Sequence, residues 1–112
     1  MRQLQRNLRA EKQGTFSAAG TLTIFFSVPL GPSWEVKQIA INANSALEPI
    51  CSTYIGTNSA GVFISNSFTG NSDTDDQPNV TIRSGDSIAA VWASGTPGAI
   101  GKLTVIYDEA AY

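Results

Sequence analysis

The chain has 112 residues, of which 42% are hydrophobic and 14% charged, and its formal net charge is −2. This length is typical of one domain that buries a modest core without disulfides or metals. The absence of histidine and the single cysteine exclude histidine general bases, Ser/His and Cys/His nucleophile pairs, zinc clusters and an intrachain disulfide. We therefore predict a protein that is not an enzyme and needs no cofactor.

The first residues differ from the remainder in charge and in pattern. Residues 1–12 hold four basic side chains against one acid, whereas the rest of the chain holds three against eight. Apolar side chains recur in this stretch at spacings of three and four, which predicts a short amphipathic helix. Because about three turns of helix are marginal in water, residues 1–14 are predicted to form a helical or extended arm that orders on a partner. The predicted contact residues of this arm are Met1, Arg2, Leu4, Arg6, Leu8 and Arg9.

We expect the partner of this arm to be a protein. Three or four basic side chains on a flexible segment bind phosphates weakly and in a salt-sensitive way, and the acidic remainder of the chain opposes such binding. No apolar run approaches the roughly 20 residues that span a bilayer. The charged N-terminus also lacks the apolar region of a secretory signal. The sequence thus predicts no nucleic-acid partner, no membrane partner and retention in the cytoplasm where the chain is made.

From Thr15 onward the composition changes to that of β-strands, with turn signals at intervals of roughly ten residues. This pattern predicts one all-β domain over residues 15–112, a sandwich or barrel of about seven or eight short strands. The first one or two strands end at Val28, before a cluster of Pro and Gly.

The stretch from residue 33 to 44 changes the phase of its alternation. Its first apolar residues, Trp34 and Val36, share one phase, whereas Ile39 and Ile41 share the other. One extra residue in a strand produces such a switch, so we predict a β-bulge near Lys37 and Gln38.

Later segments predict further strands and the turns between them. The runs ICSTYIGT and GVFISNSF, joined by NSAG, are typical of a hairpin, and SGD and GTPG are typical of tight turns. Alternation in SIAAVWAS and AIGKLTVIYD predicts inward-facing side chains in both. The predicted core residues are Trp34, Val36, Ile39, Ile41, Ile88, Trp92, Leu103 and Val105.

A polar loop, FTGNSDTDDQPNVTI, raises the question of a metal site. Asn71, Asp73 and Asp75 alternate as the first ligands of an EF-hand loop do, yet Asp76 stands where the glycine is expected and Ile82 where the closing glutamate is expected. The segment is therefore not an EF-hand. A looser calcium site formed by Asp73, Asp75 and Asp76 is the alternative to our favoured interpretation, a solvated turn without metal.

Two tryptophans fall within predicted strands, and they allow two interpretations. Trp34 and Trp92 could stack on sugars, but aromatic side chains supply much of the burial in a small sandwich. We therefore assign both to the core. The single cysteine, Cys51, has apolar neighbours and is interpreted as a buried, inert thiol.

Several motifs together resemble those of small virion proteins of tailed bacteriophages. They are a strand ending in Val-Pro, a Trp-x-Val strand, a Cys-x-x-Tyr-x-Gly strand, a Gly-x-x-Asp turn and a hairpin with GD, VW and G-x-PGA. The resemblance covers about residues 25–106. It implies a β-sandwich of jelly-roll type in a phage particle, as a head decoration protein, a head-fibre base or a tail component.

The leading hypothesis is a capsid decoration protein that binds the outer head surface and cements neighbouring subunits. Its expected partners are the major capsid protein or another virion protein, and copies of itself, with a trimer favoured. Its expected location is the virion, assembled in the host cytoplasm. The alternative is a tail or fibre component that binds carbohydrate through an exposed aromatic side chain and the loop from Asp73 to Asp76.

Overall fold

The computed structural model describes residues 3–59, 61–75, 78 and 80–111, and this part of the chain consists of strands and connecting loops. The nine strands are β1 (Gln3–Thr15), β2 (Leu22–Ser27), β3 (Ser33–Ala43), β4 (Ile50–Ile55), β5 (Val62–Thr69), β6 (Ser72–Asp75), β7 (Val80–Ile82), β8 (Ser87–Ala93) and β9 (Ile100–Ala111). No helix long and apolar enough to cross a membrane occurs among these residues.

The strands form two antiparallel sheets that pack as a sandwich. The first sheet has the order β1-β9-β3-β6, with β7 also pairing β3, and the second has the order β2-β8-β4-β5. When β6 and β7 are taken as one interrupted strand, successive strands alternate between the two sheets except for the hairpin β4–β5, which is the order of a jelly roll. The predicted all-β sandwich is confirmed, and the topology is that of the jelly roll that the resemblance implied.

The N-terminal segment is a strand over residues 3–15, so of the two forms predicted for it, helical or extended, it takes the extended one. Residues 3–15 pair antiparallel with β9 over its whole length, with one irregularity between Gln5 and Leu8. The long strand β9 offers main-chain partners along this edge, and the side chains of Leu8 and Ala10 pack against the core. These tertiary contacts override the weak local preference for helix. The boundary predicted after residue 14 therefore falls inside β1.

The bulge predicted in β3 is confirmed. Its pairing with β9 shifts between Val36 and Gln38. The buried side chains are Trp34 and Val36 before the shift and Ile39 and Ile41 after it. One extra residue thus keeps two successive apolar segments of β3 on the core face.

The core lies between the sheets, and all eight predicted core residues are in it. Each is at most 6% exposed, and burial of a Val, Leu, Ile or Phe side chain contributes about 1.5–3 kcal/mol. Phe16 closes one end of the core, where its ring lies so close to Gly95 that a Cβ at that position would overlap it.

The predicted hairpin and tight turns are also confirmed. Strands β4 and β5 pair antiparallel, the Asp86 amide donates to the Arg83 carbonyl at 3.0 Å, and the Ala99 amide donates to the Thr96 carbonyl at 3.1 Å. Nine strands are described where seven or eight were predicted. Two of them were not among the predicted strands: β1, and β6, which consists of four polar residues within the segment predicted as a turn and pairs with β3.

Candidate binding surfaces

Both tryptophans are buried, as predicted, and neither is available for a ligand at the surface. Trp34 is 6% exposed and Trp92 is 0% exposed. The Trp34 ring stacks on Tyr107, and the Trp92 ring contacts Phe16 edge-on with centroids 6.3 Å apart. A sugar platform built on the indoles is therefore excluded.

Cys51 lies in the core of the sandwich. Its side chain is fully buried, and burial raises the pKa of the thiol to about 12. At neutral pH the group is a protonated thiol, which is a poor nucleophile and a poor metal ligand. The interpretation as an inert cysteine agrees with this environment.

The aspartates that were considered as calcium ligands lie at the β6 edge of the first sheet. Asp73 and Asp75 belong to β6, opposite Ile41 and Ile39 of β3, and an Asp73 carboxylate oxygen accepts a hydrogen bond from the Thr74 amide at 2.8 Å. The third predicted ligand, Asp76, lies outside the described residues. Within the described part of the chain, no three Cys, Asp or Glu side chains come together in a way that could hold a metal ion.

The predicted arm residues are distributed along β1. Leu8 is half-buried against the core, whereas Arg9 is exposed. Leu4 pairs with Ala110 through its backbone, and the backbone of residue 6 lies in the same strand. Met1 and Arg2 lie outside the described residues.

An ion-pair network lies on the solvent-facing surface of the first sheet, between β1 and β9. Glu11 contacts Lys102 at 2.8 Å and Arg9 at 3.2 Å. The hydrogen bond from Lys102, supported by the charge of Arg9, lowers the pKa of Glu11. Next to this network, hydroxyl and amide side chains line a shallow groove of about 220 Å³, among them Gln38, Asn42, Ser72, Thr74 and Thr104. This face of the first sheet is polar.

The outer face of the second sheet carries a feature that the sequence analysis missed. Phe25 of β2 lies opposite Ala89 of β8, Ala89 lies opposite Tyr54 of β4, and Tyr54 lies opposite Phe63 of β5. Directly opposed residues of an antiparallel pair share a face. These four residues therefore form one line across all four strands, which we call the aromatic row.

The rings at the two ends of the aromatic row are open to solvent, whereas Ala89 between them is fully buried. Phe25 is 38% exposed and Phe63 is 51% exposed, and the Tyr54 and Phe63 rings meet edge-to-face with centroids 5.7 Å apart. At the β2 end, the Lys12 ammonium lies 5.3 Å from the centroid of the Phe25 ring and donates to the Phe25 carbonyl at 3.4 Å. Alternation places Tyr54 and Phe63 outward in the predicted hairpin, and that signal could have identified half of the row.

No family model and no curated protein matches the sequence. The fold is similar to that of a chain in the acid-stable capsid structure of Helicobacter pylori bacteriophage KHP30, with 15% identity, a TM-score of 0.51 and 100% of both chains covered. It is also similar to Bacillus endospore appendages, described as disulfide-linked pili, with 9% identity, a TM-score of 0.54 and coverage of 99% and 89%. A third similar structure is the Aeromonas hydrophila lysozyme inhibitor PliG, with 11% identity, a TM-score of 0.50 and coverage of 90% and 87%. At these identities the likeness shows the shared fold.

Proposed function

We propose that this chain is a structural protein of a bacteriophage particle that decorates the outer surface of the capsid. The observation that carries the proposal is the end-to-end correspondence in fold with a chain of a phage capsid structure, in which 100% of both chains is covered. The jelly-roll topology supports it, because viral capsid domains commonly use this arrangement. The motifs that resemble phage virion proteins, over about residues 25–106, point to the same class.

The attachment surface that we propose is the free side of β1. This strand ends the first sheet, and the sheet order gives it one neighbour, β9. Its 13 residues form an edge to which a strand of another protein can be added. Charged side chains such as Arg9 and Lys12 discourage uncontrolled pairing at such an edge. They also favour a partner with acidic groups at matching positions.

The partner in this proposal is the major capsid protein, and the decorating unit is a homo-oligomer, with a trimer favoured. Closed symmetry is the usual arrangement of such units. The elongated shape of the molecule, with extents of 49 × 22 × 20 Å, allows one copy to reach more than one capsid subunit. A decorating unit of this kind cements neighbouring subunits.

Addition of the purified protein to phage particles assembled without it tests the proposal. Wild-type protein is expected to co-sediment with these particles to a saturating ratio. Arg9→Glu is expected to weaken this addition about tenfold, because a charge at the rim of an interface is reversed. Arg83→Glu, at an exposed position outside β1, is the matched control and should add normally. No addition of wild-type protein would refute the proposal, and equal addition of both variants would refute the role of β1.

A further inference from the structure

We infer that the aromatic row on the second sheet is a binding site for a neutral oligosaccharide. The row crosses β2, β8, β4 and β5, and at about 4.8 Å per strand its length from Phe25 to Phe63 is roughly 14 Å. That length accommodates two or three sugar rings. The inference concerns this face alone and does not depend on where the chain sits in a particle.

The chemistry of the row suits the apolar face of a sugar ring. A pyranose presents aliphatic C–H groups on its flat faces, and aromatic rings attract such groups through their negative π-faces. Phe25 and Phe63 are the exposed rings, and between them Ala89 has a side chain of one methyl group. The Ala89 methyl between Phe25 and Tyr54 is fully buried, so a sugar stacks on Phe25 at one end of the row and on the Tyr54–Phe63 pair at the other.

Hydroxyl groups border the row on both sides, and they can hydrogen-bond the edges of a sugar. On one side the exposed Ser27 offers its hydroxyl, which is hydrogen-bonded at 3.1 Å to the buried Ser87 opposite it. On the other side the same register places Thr23 of β2 and Ser52 of β4 opposite Val91 of β8. A saccharide requires this combination of a stacking strip with flanking donors and acceptors.

The charge of the face indicates a neutral ligand. Among the described outward positions of the second sheet there is no carboxylate, and the nearest cation is Lys12, which reaches the β2 end of the row from the first sheet. A nucleic acid would require a positive groove along its backbone. An acidic polysaccharide would likewise require several cations, so an uncharged glycan fits the face best.

The exposed area argues against a second copy of the chain or another folded protein as the occupant. An aromatic side chain has about 150–250 Å² to bury. With exposed fractions of 38% and 51%, the two phenylalanines together offer roughly 130–220 Å², and Ile50 on the same face of β4, 44% exposed, adds less than half of one side chain. A standard protein interface takes about 800 Å² from each partner. The row therefore matches the contact area of a small ligand better than that of a protein.

Affinity electrophoresis of the full chain in gels that contain laminarin, mannan, xylan, glycogen or hydroxyethylcellulose tests the inference. At least one of these neutral glycans is expected to retard the wild-type protein, while heparin is not. Phe63→Ala and Phe25→Ser are expected to weaken the interaction about tenfold each. Leu47→Ala removes an exposed apolar side chain (59% exposed) from a loop and is the matched control. Thermal melts of all variants check that they remain folded.

Three results would overturn the inference. They are no retardation in any neutral glycan, retardation that both phenylalanine variants retain, and self-association that Phe63→Ala abolishes in sedimentation experiments. Tryptophan fluorescence gives an independent readout, because both indoles are buried in the core. Glycan bound at the row should leave the emission maximum unchanged while the amide NMR signals of β4 and β5 shift. A shift of the emission maximum would place the ligand elsewhere and contradict the assignment.

Discussion

The indole of Trp34 stacks on the ring of Tyr107, with centroids 3.9 Å apart and an interplanar angle of 14°. The two residues lie on the adjacent strands β3 and β9, where Tyr107 pairs directly with Val36, so the stacked rings are diagonal neighbours across the pair. Phe26 of the second sheet contacts the same indole with centroids 6.4 Å apart. Trp34 thus joins the two sheets, and its ring stabilises the sandwich.

Replacement of this indole should destabilise the domain strongly. We expect Trp34→Ala to lower the free energy of unfolding by about 3–5 kcal/mol, because it leaves a large cavity beside Tyr107 and Phe26. Phe63→Ala, which removes an exposed aromatic side chain from the other face, is the control and should cost less than about 1.5 kcal/mol. Urea unfolding followed by circular dichroism measures both. Equal costs for the two variants would contradict the assignment of Trp34 to the core.

Deletion of residues 1–13 should abolish cooperative unfolding, because the deletion removes nearly all of β1. Strand β9 then loses its main-chain partners on that side, and the core loses the packing of Leu8 and Ala10. A domain has only about 5–15 kcal/mol of stability in total. Thermal melting and amide NMR spectra measure the effect. Arg9→Ser, an exposed change in the same strand, should stay within about 0.5 kcal/mol of wild type. A truncated chain with the wild-type melting temperature would show that β1 is dispensable.

The loop from Ser45 to Leu47 is held by the hydroxyl of Thr96. This oxygen accepts hydrogen bonds from the Ser45 hydroxyl at 3.1 Å, the Ala46 amide at 2.9 Å and the Leu47 amide at 3.1 Å. We expect Thr96→Val to lower the free energy of unfolding by about 1–2 kcal/mol, because the Ser45 hydroxyl and the Ala46 amide lose this acceptor, while the Leu47 amide keeps the Ser45 hydroxyl at 3.2 Å. Thr81→Val changes an exposed threonine of β7 and should have little effect. Chemical denaturation of both variants checks the difference, and similar stabilities would argue against the role of Thr96.

Stability should fall at alkaline pH because of Cys51. Burial raises the pKa of its thiol from 9.0 to about 12, so between these values the unfolded chain releases a proton that the folded chain keeps. The contribution of the thiol is therefore fully present below pH 9 and is lost as the pH rises towards 12, by at most about 1.4 kcal/mol per pH unit. Unfolding free energies measured from pH 8 to 11 test this. Cys51→Ala should show a shallower decline, and parallel curves would refute the prediction.

Much of the fold was predictable because side chains in a strand alternate between core and solvent, so apolar residues recur at every second position. The phase change in β3 located the bulge between Val36 and Gln38, and alternation in β8 and β9 identified inward side chains such as Trp92 and Val105. Two strands were not predictable in this way. The apolar residues of the N-terminal segment have helical spacing, but the segment forms β1 because it pairs with the edge of β9. Strand β6 is a polar segment that forms a strand because it pairs with β3. In both cases tertiary pairing overrides local preference.

The candidate binding surface was less predictable than the core. Phe25, Tyr54 and Phe63 lie on three strands, and Ala89, which connects them, lies on a fourth. Only the order β2-β8-β4-β5 and its registers bring these residues into one line. Sequence reasoning considered only the tryptophans as a sugar platform and assigned both to the core, where the structure buries them.

Quantitative peptide mass spectrometry of gradient-purified virions tests the central claim most directly. It compares the copy number of this chain with that of the major capsid protein. A decoration protein is expected at a ratio near one, or at a simple fraction of it that capsid symmetry sets. A few copies per particle, as in a tail or at a single vertex, or absence of the chain from the virion, would contradict the proposal.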